Sequence, residues 1–369
     1  MRSFSFRFWR LSFGLVLWIS FAAHGAVGQT DSGASVRRLT PSSHDQVSLG
    51  SLNYVAMGDS ISFGIGASSV PNTWVSLYRD FLAIDLSNTV TLSNRAIPGQ
   101  TSAQFLNALT NDSGLRSEVQ NAEIITFNIG GNDLLAARAA YKANVCGGVD
   151  GQDCLRTALA QFRTNWDAIV VEILALRPKS NVVLKTLDVY NPLVNLDENA
   201  DTVPNDGGLT DLEAFKPYLD AANLHIRDSA AAHGIALSRV YLKFNTVTGT
   251  RDAVATGLIA SDNVHPNDFG HSQIADEFSI STIPTNIGAT LLGSVTDSNG
   301  NGVPRAVVVV RDIYGRQTSI STNGFGRFRM IGLLVGETYL VEARSKEFAF
   351  ARAAIRLDQP LTAITVSEN

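Results

Sequence analysis

Cysteine is scarce in this chain, with two in 369 residues, and the 29 lysines and arginines fall short of the 34 aspartates and glutamates. The resulting net charge of −5, with no long run of one sign, excludes the basic face of a nucleic-acid binder and the tail of a polyelectrolyte. Long apolar runs are missing too. Beyond the first 23 residues nothing approaches the roughly 20 consecutive apolar residues that a membrane-crossing helix needs. No internal repeat or low-complexity tract appears. What remains is 45% hydrophobic and only 17% charged, enough to bury a large core and to build one large domain with a smaller one.

The one apolar run stands at the start. Arg2, Arg7 and Arg10 precede LSFGLVLWISFAA at 11–23, and small residues follow up to Gly28. Thirteen residues are too few for a span, so 1–28 reads as an export signal and the mature chain is expected to begin near Gln29, placing it in the periplasm or outside the cell. Residues 29–50, rich in Ser, Thr and Asp without apolar periodicity, read as a flexible lead-in. Export gives the two cysteines a meaning. Cys146 and Cys154 lie in the Gly/Asp-rich stretch NVCGGVDGQDCL, and an even count in an oxidising compartment favours a disulfide. Without a nearby pair of histidines they make a poor zinc site.

From about 52 the pattern alternates. Short β-branched runs at 54–58, 89–93, 123–129, 181–189 and 235–242 are separated by amphipathic stretches such as LRTALAQFRTNWDAIVVEILALR. Such alternation predicts a parallel sheet with helices on both faces, whose sites form beyond the carboxyl ends of the strands. After about 285 turn signals come every ten or so residues without a helical period, which predicts an antiparallel β-sandwich of about seven strands over 288–369, with Pro284 and Asn286 in the linker. The larger domain is then 51–283.

The stretch YVAMGDSISFGIGA runs the first strand into Gly58-Asp59-Ser60. Asp59 and Ser60 suit a helix cap, and Ser60 also suits a nucleophile if a base, a group orienting that base and oxyanion donors exist elsewhere. Of six histidines, His24 lies in the leader, His44 in the lead-in, and His225 and His233 in one helical stretch. His265 stands in Ser261-Asp262-Asn263-Val264-His265-Pro266, where a tight turn can bring the Asp262 carboxylate against the imidazole. His271 is a weaker candidate, with no carboxylate at that spacing. Two strand ends offer donors for a developing negative charge: Gly99 in Pro98-Gly99-Gln100, where backbone N–H can approach closely, and Asn132 in Gly130-Gly131-Asn132-Asp133.

Gly58-Asp59-Ser60, Gly99, Gly130 to Asp133, and Asp262 to His265 resemble, in order, the four blocks of the GDSL esterase/lipase family, also called SGNH hydrolases. The resemblance covers about 52–282. It implies a flavodoxin-like three-layer α/β/α fold and a serine ester hydrolase without cofactor or metal, acting on a small-molecule or lipid ester. It implies Ser60 as nucleophile, His265 as general base and acid, Asp262 as its orienter, and an oxyanion hole from the N–H groups of Ser60 and Gly99 and the side chain of Asn132. Asp59 and Asp133 are expected to bind loop N–H groups. Ser60 is followed by Ile61 and Ser62, so the Gly-x-Ser-x-Gly elbow of α/β-hydrolases is lacking.

Gly293-Ser294-Val295-Thr296-Asp297 and Thr322 to Phe328 resemble a carboxypeptidase regulatory-like, prealbumin-like domain, for which contact with a cell surface or polysaccharide and a passive stabilising role are both readings. The segment from 188 to 208 and the cysteine loop are expected to wall the site, and their modest apolar content favours a short-to-medium acyl chain. A carbohydrate O-deacetylase or acyltransferase with the same three residues, and a catalytically silent extracellular binding protein, stay open as alternatives. The intact Ser60, Asp262 and His265 speak against the last.

Overall fold

The computed structural model describes residues 51–368 apart from Asn205. The expected export signal over 1–28 and lead-in over 29–50 lie outside the described residues. No helix among the described residues is long and apolar enough to cross a membrane.

The first strand, β1 (Leu52–Met57), leads into the short helix α1 (Ser60–Phe63) and then α2 (Trp74–Asp85). After β2 (Val90–Asn94) come α3 (Ser102–Asn111) and α4 (Ser113–Asn121), and after β3 (Ile124–Phe127) come α5 (Gly131–Lys142) and α6 (Asp153–Leu176). Then β4 (Val183–Leu187) precedes α7 (Val194–Glu198) and α8 (Asp211–His233), and β5 (Ala236–Ser238) precedes α9 (Val240–Asn245) and α10 (Asp268–Ile280). All five strands are parallel, in the order β2-β1-β3-β4-β5, the doubly wound flavodoxin-like arrangement.

Strands buried on both faces read as continuous apolar runs, and β1 shows why. Val55 and Met57 enter a core with Phe127, Phe162, Trp166 and Ile169, while Tyr54 and Ala56 enter a second core with Trp74, Tyr78 and Phe278. The sheet is thus the middle of three layers. Trp74 stacks on Phe278 at 4.3 Å between centroids, fixing α2 to α10 with an aromatic contact worth about 0.5–1.5 kcal/mol beyond its buried area.

The run 235–242, read as one strand, stops at Ser238. Val240 and Tyr241 are fully buried in α9 instead, because the Asp188 carboxylate at the end of β4 accepts from the Tyr241 N–H at 2.6 Å and so supplies the cap that turns the chain into helix.

The C-terminal part has seven strands: β6 (Gly288–Thr296), β7 (Val307–Asp312), β8 (Gln317–Ser321), β9 (Arg327–Leu334), β10 (Thr338–Arg344), β11 (Ala353–Arg356) and β12 (Leu361–Ser367). They form a four-stranded sheet β11-β10-β7-β8 and a three-stranded sheet β12-β6-β9 around a core of Leu291, Val308, Val310, Phe328, Met330 and Val341. The pairing is antiparallel except that β12 runs parallel to β6. The sandwich meets the α/β part through Glu337, 2% exposed, which accepts from Arg227 of α8 and from Arg239 after β5.

Cys146 and Cys154 are bonded, joining the loop after α5 to the first turn of α6. Closing so short a loop stabilises the fold by about 2.5 kcal/mol through the unfolded state. The double replacement Cys146→Ser and Cys154→Ser should lower unfolding free energy by about that amount in a guanidinium titration, and an unchanged midpoint would show the bond to be idle.

Asp188 supplies a second test. Burial pushes its carboxyl up to about 7, against the Tyr241 N–H and the charge of Arg239, which pull it down. The folded value lies above the unfolded value near 4, so the folded state holds this proton more tightly and stability is lost as pH rises from about 4 through 7. Asp188→Asn keeps an acceptor for Tyr241 but cannot ionise. It should therefore gain on wild type in urea titrations as pH goes from 5 to 8; a constant difference would contradict a protonated Asp188 at the lower pH.

Candidate functional site

Strand β1 leaves the sheet at Gly58, whose φ is +133°. A Cβ there would stand 2.2 Å from the Asn128 carbonyl oxygen, so only glycine lets β1 and the end of β3 lie this close. Asp59 then caps α1. Its Oδ1 accepts from Ile61 N–H at 2.9 Å and from Asn128 Nδ2 at 2.7 Å, while Asn128 Oδ1 accepts from the Ser62 hydroxyl. These bonds hold Ser60 as the first residue of α1, at the carboxyl end of β1, where the strand order reverses.

Asp262 organises the turn before α10. One carboxylate oxygen accepts from the N–H groups of Val264 and His265, both at 2.9 Å, an Asx turn passing through Asn263 at φ +60°. The other accepts from His265 Nδ1 at 2.6 Å. A carboxylate only accepts, so the Nδ1 proton is on the imidazole and Nε2 is left to accept from Ser60 Oγ at 2.9 Å. Partial burial works to raise the Asp262 carboxyl, but the two N–H groups and the imidazole outweigh it and hold the group below the usual carboxylate range. For Asp59, burial prevails over its hydrogen bonds to Ile61 and Asn128 and over the nearby His265, and the carboxyl is pushed up to about 6.

Gly99 lies in the loop after β2, at φ +77°. Ile97 N–H donates to Gly58 O at 2.8 Å and ties this loop beside Ser60. Among the described residues the N–H groups of Ser60 and Gly99 have no acceptor. Asn132, in the first turn of α5, donates one Nδ2 proton to Gln100 O at 2.9 Å, which orients the carboxamide and leaves its other proton free. Asp133 accepts from the N–H and hydroxyl of Ser102, at 2.9 and 2.6 Å, and so joins α5 to α3.

Ser60, His265, Gly99 and Asn132 line one cavity of about 400 Å³. Its lining is otherwise mostly apolar, with Leu134 and Leu135 of α5, Leu187 and Val189 at the end of β4, and Phe215 and Leu219 of α8, while Asn128 and Asn191 add polar groups. Of the segment 188–208 only Val189 to Pro192 line it. The cysteine loop does not, because its bond holds it to the start of α6.

A hydroxyl, an imidazole and a carboxylate in hydrogen-bond series, beside three unspent N–H donors, suit attack on an acyl carbon. His271 is elsewhere: fully buried, its Nδ1 faces Trp74 N–H at 3.4 Å and its Nε2 bonds Ile65 O at 3.1 Å. Burial lowers its pKa against the pull of Ile65 O and Asp268, so it serves as a neutral link between α10 and the loop after α1. His225 pairs with Asp167 and His233 bonds its own helix at Ser229 O. His24 and His44 lie outside the described residues. Asn128 and Tyr190 were not singled out from sequence. A polar residue closing the apolar strand ITF was the signal available for Asn128; Tyr190, whose hydroxyl donates to Val264 O at 2.7 Å, carried none.

Residues 56–273 match the model of the GDSL-like lipase/acylhydrolase family, and 290–367 that of the carboxypeptidase regulatory-like domain. A spore germination lipase of Bacillus licheniformis is 22% identical over 228 residues, 61% of this chain and 94% of that protein. The crystal structure of lipase Lip_vut3, from a goat rumen metagenome, is 22% identical, covers 62% of this chain and 96% of its own, and superposes with a TM-score of 0.51, a likeness of fold. The match to the family spans more than half of the chain, from β1 into α10, and the chain belongs to the GDSL-like lipase/acylhydrolase family.

Proposed function

We propose that this ester hydrolase works through an acyl-enzyme on Ser60, with a short-to-medium acyl chain held in the apolar cavity. The observation that carries this is the series Ser60 Oγ, His265 Nε2, His265 Nδ1 and Asp262 Oδ2, at 2.9 and 2.6 Å, opening onto that cavity. His265 takes the Ser60 proton as Oγ bonds to the ester carbon, and returns it to the leaving alkoxide. Asp262 keeps the tautomer and stabilises the imidazolium. The oxyanion meets the N–H groups of Ser60 and Gly99 and the free proton of Asn132. Water then enters, gives its proton to His265, and releases the acid by the same path.

The cavity weighs among the alternatives. Leu134, Leu135, Phe215 and Leu219 offer an acetyl group far more apolar surface than it covers, which favours an acyl chain of several carbons over O-deacetylation. The leader pattern and the disulfide support export, with the mature chain beginning near Gln29. Of the two readings of the C-terminal domain, contact with a cell surface or polysaccharide has as its support the outer face of β9, where Arg327 and Arg329 stand exposed.

With p-nitrophenyl esters, Ser60→Ala should lower kcat by about 10⁴-fold or more, and Asn132→Ala by about 10²–10³-fold. Full activity in Ser60→Ala would remove the acyl-enzyme. Each methylene buried contributes about 0.8 kcal/mol, so kcat/KM should climb up to about fourfold per carbon and then flatten once the cavity is full. In Leu219→Trp that plateau should come at a shorter chain. A rate still rising toward long-chain triglycerides would contradict the short-to-medium acyl chain.

A further inference from the structure

Glu337 stands just before β10, in the sandwich, yet its carboxylate is spent on the α/β part. It accepts from Arg239 Nη1 at 2.6 Å and Nη2 at 2.9 Å, and from Arg227 Nε at 2.9 Å. A two-pronged guanidinium–carboxylate pair fixes direction as well as distance. Arg239 is the single residue between β5 and α9, and as the N-cap of α9 it offers no side-chain cap of its own. The start of α9 is therefore held from outside, by Glu337 on one side and by Asp188 on the other.

The far end of α9 builds the cavity wall. Asn245 accepts from Asn191 N–H at 2.8 Å and donates to Asn191 O at 2.7 Å, satisfying both backbone groups of a cavity-lining residue. The Phe244 ring packs on Tyr190 at 4.6 Å between centroids. Tyr190 lines the cavity and donates through its hydroxyl to the carbonyl of Val264, the residue before His265. The sandwich touches α9 a second time, where Ile313 and Tyr314 pack with Leu242 and Val247.

We propose that Glu337 is a positioning residue for the hydrolase reaction: through Arg239 and α9 it sets the wall formed by Tyr190 and Asn191 and the backbone that carries His265. The C-terminal sandwich is then part of the acyl site's framework rather than a detachable module. The proposal rests on the esterase reading above, and its link to chain length rests on the acyl cavity.

The test is Glu337→Gln in the full chain, which keeps the side chain's size and removes its charge, assayed on p-nitrophenyl acetate, butyrate and octanoate well below the melting temperature. The octanoate-to-acetate ratio of kcat/KM should fall by about tenfold, because the longer chain depends on the wall, and kcat should fall for all three. Glu337→Asp should restore part of both. Met330→Ala, a cavity in the sandwich core remote from α9, should lower stability and leave ratio and kcat alone. An unchanged ratio and kcat in Glu337→Gln, or an equal change in Met330→Ala, would overturn the proposal. If Glu337→Gln gives no folded chain, Glu337→Asp is read by the same criteria. A flat chain-length profile in wild type would instead remove the acyl-cavity reading, and the positioning claim would then stand or fall on kcat in the same variants.

Discussion

The close approach of Gly58 to the carbonyl of Asn128 is the constraint from which the site follows. It brings the end of β1 against the end of β3 with no side chain between, so that Asn128 can reach across to both Asp59 and Ser62. With α1 held at Ile61 and Ser62 and its cap Asp59 held by Asn128, Ser60 is directed over the sheet's carboxyl edge. Everything else arrives to meet it: the Gly99 loop through the bond from Ile97 to Gly58, and α5 through the short connection from β3. A residue larger than glycine at 58 would separate the strands and aim the hydroxyl elsewhere, even though it touched none of the reacting groups.

Three carboxyl groups near this edge show how environment divides one side-chain type among different tasks. Asp262, partly open to water and bonded by two N–H groups and an imidazole, stays ionised and holds its turn. Asp59, wholly buried, is raised to about 6, and it and His265 influence each other through space without a hydrogen bond. Asp188, raised to about 7, is the least willing to ionise, and its second oxygen has no partner among the described residues. Its task is mechanical, the capping of α9.

What the sequence made legible was local. The Asp262 turn closes within four residues, and its Asx geometry is written in the spacing Asp-x-x-His with a residue at 263 that tolerates positive φ. The alternation of strand and helix showed the layers for the same reason, since each element's period is its own. The misses were long-range. The turn into α9 at Tyr241 depends on Asp188, the wall at Asn191 on Asn245, and the Val264 carbonyl on Tyr190, pairs separated by 53, 54 and 74 positions. The cysteine loop looked suited to wall the cavity because it follows a strand end by one helix. Its bond holds it instead to the first turn of α6, and none of its residues line the cavity.

The sandwich sits where the α/β sheet is weakest. Strand β5 has three residues and one neighbour, so its outer edge would expose unpaired backbone groups. The linker covers that edge: Leu237 N–H donates to Thr282 O at 3.0 Å, and Arg227 then grips Thr285 and Asn286 as the chain passes into β6. Buried Arg227, which Asp228 also meets, and half-buried Arg239 together call for a carboxylate between them, because a guanidinium taken out of water without one is costly. Glu337 is that carboxylate, and it comes from the sandwich. An edge strand too short to hold itself, a linker that completes it and a charge that locks both are thus one structural solution. The same lock lies one helix away from the wall around Ser60, so stability of the edge and geometry of the site cannot vary independently.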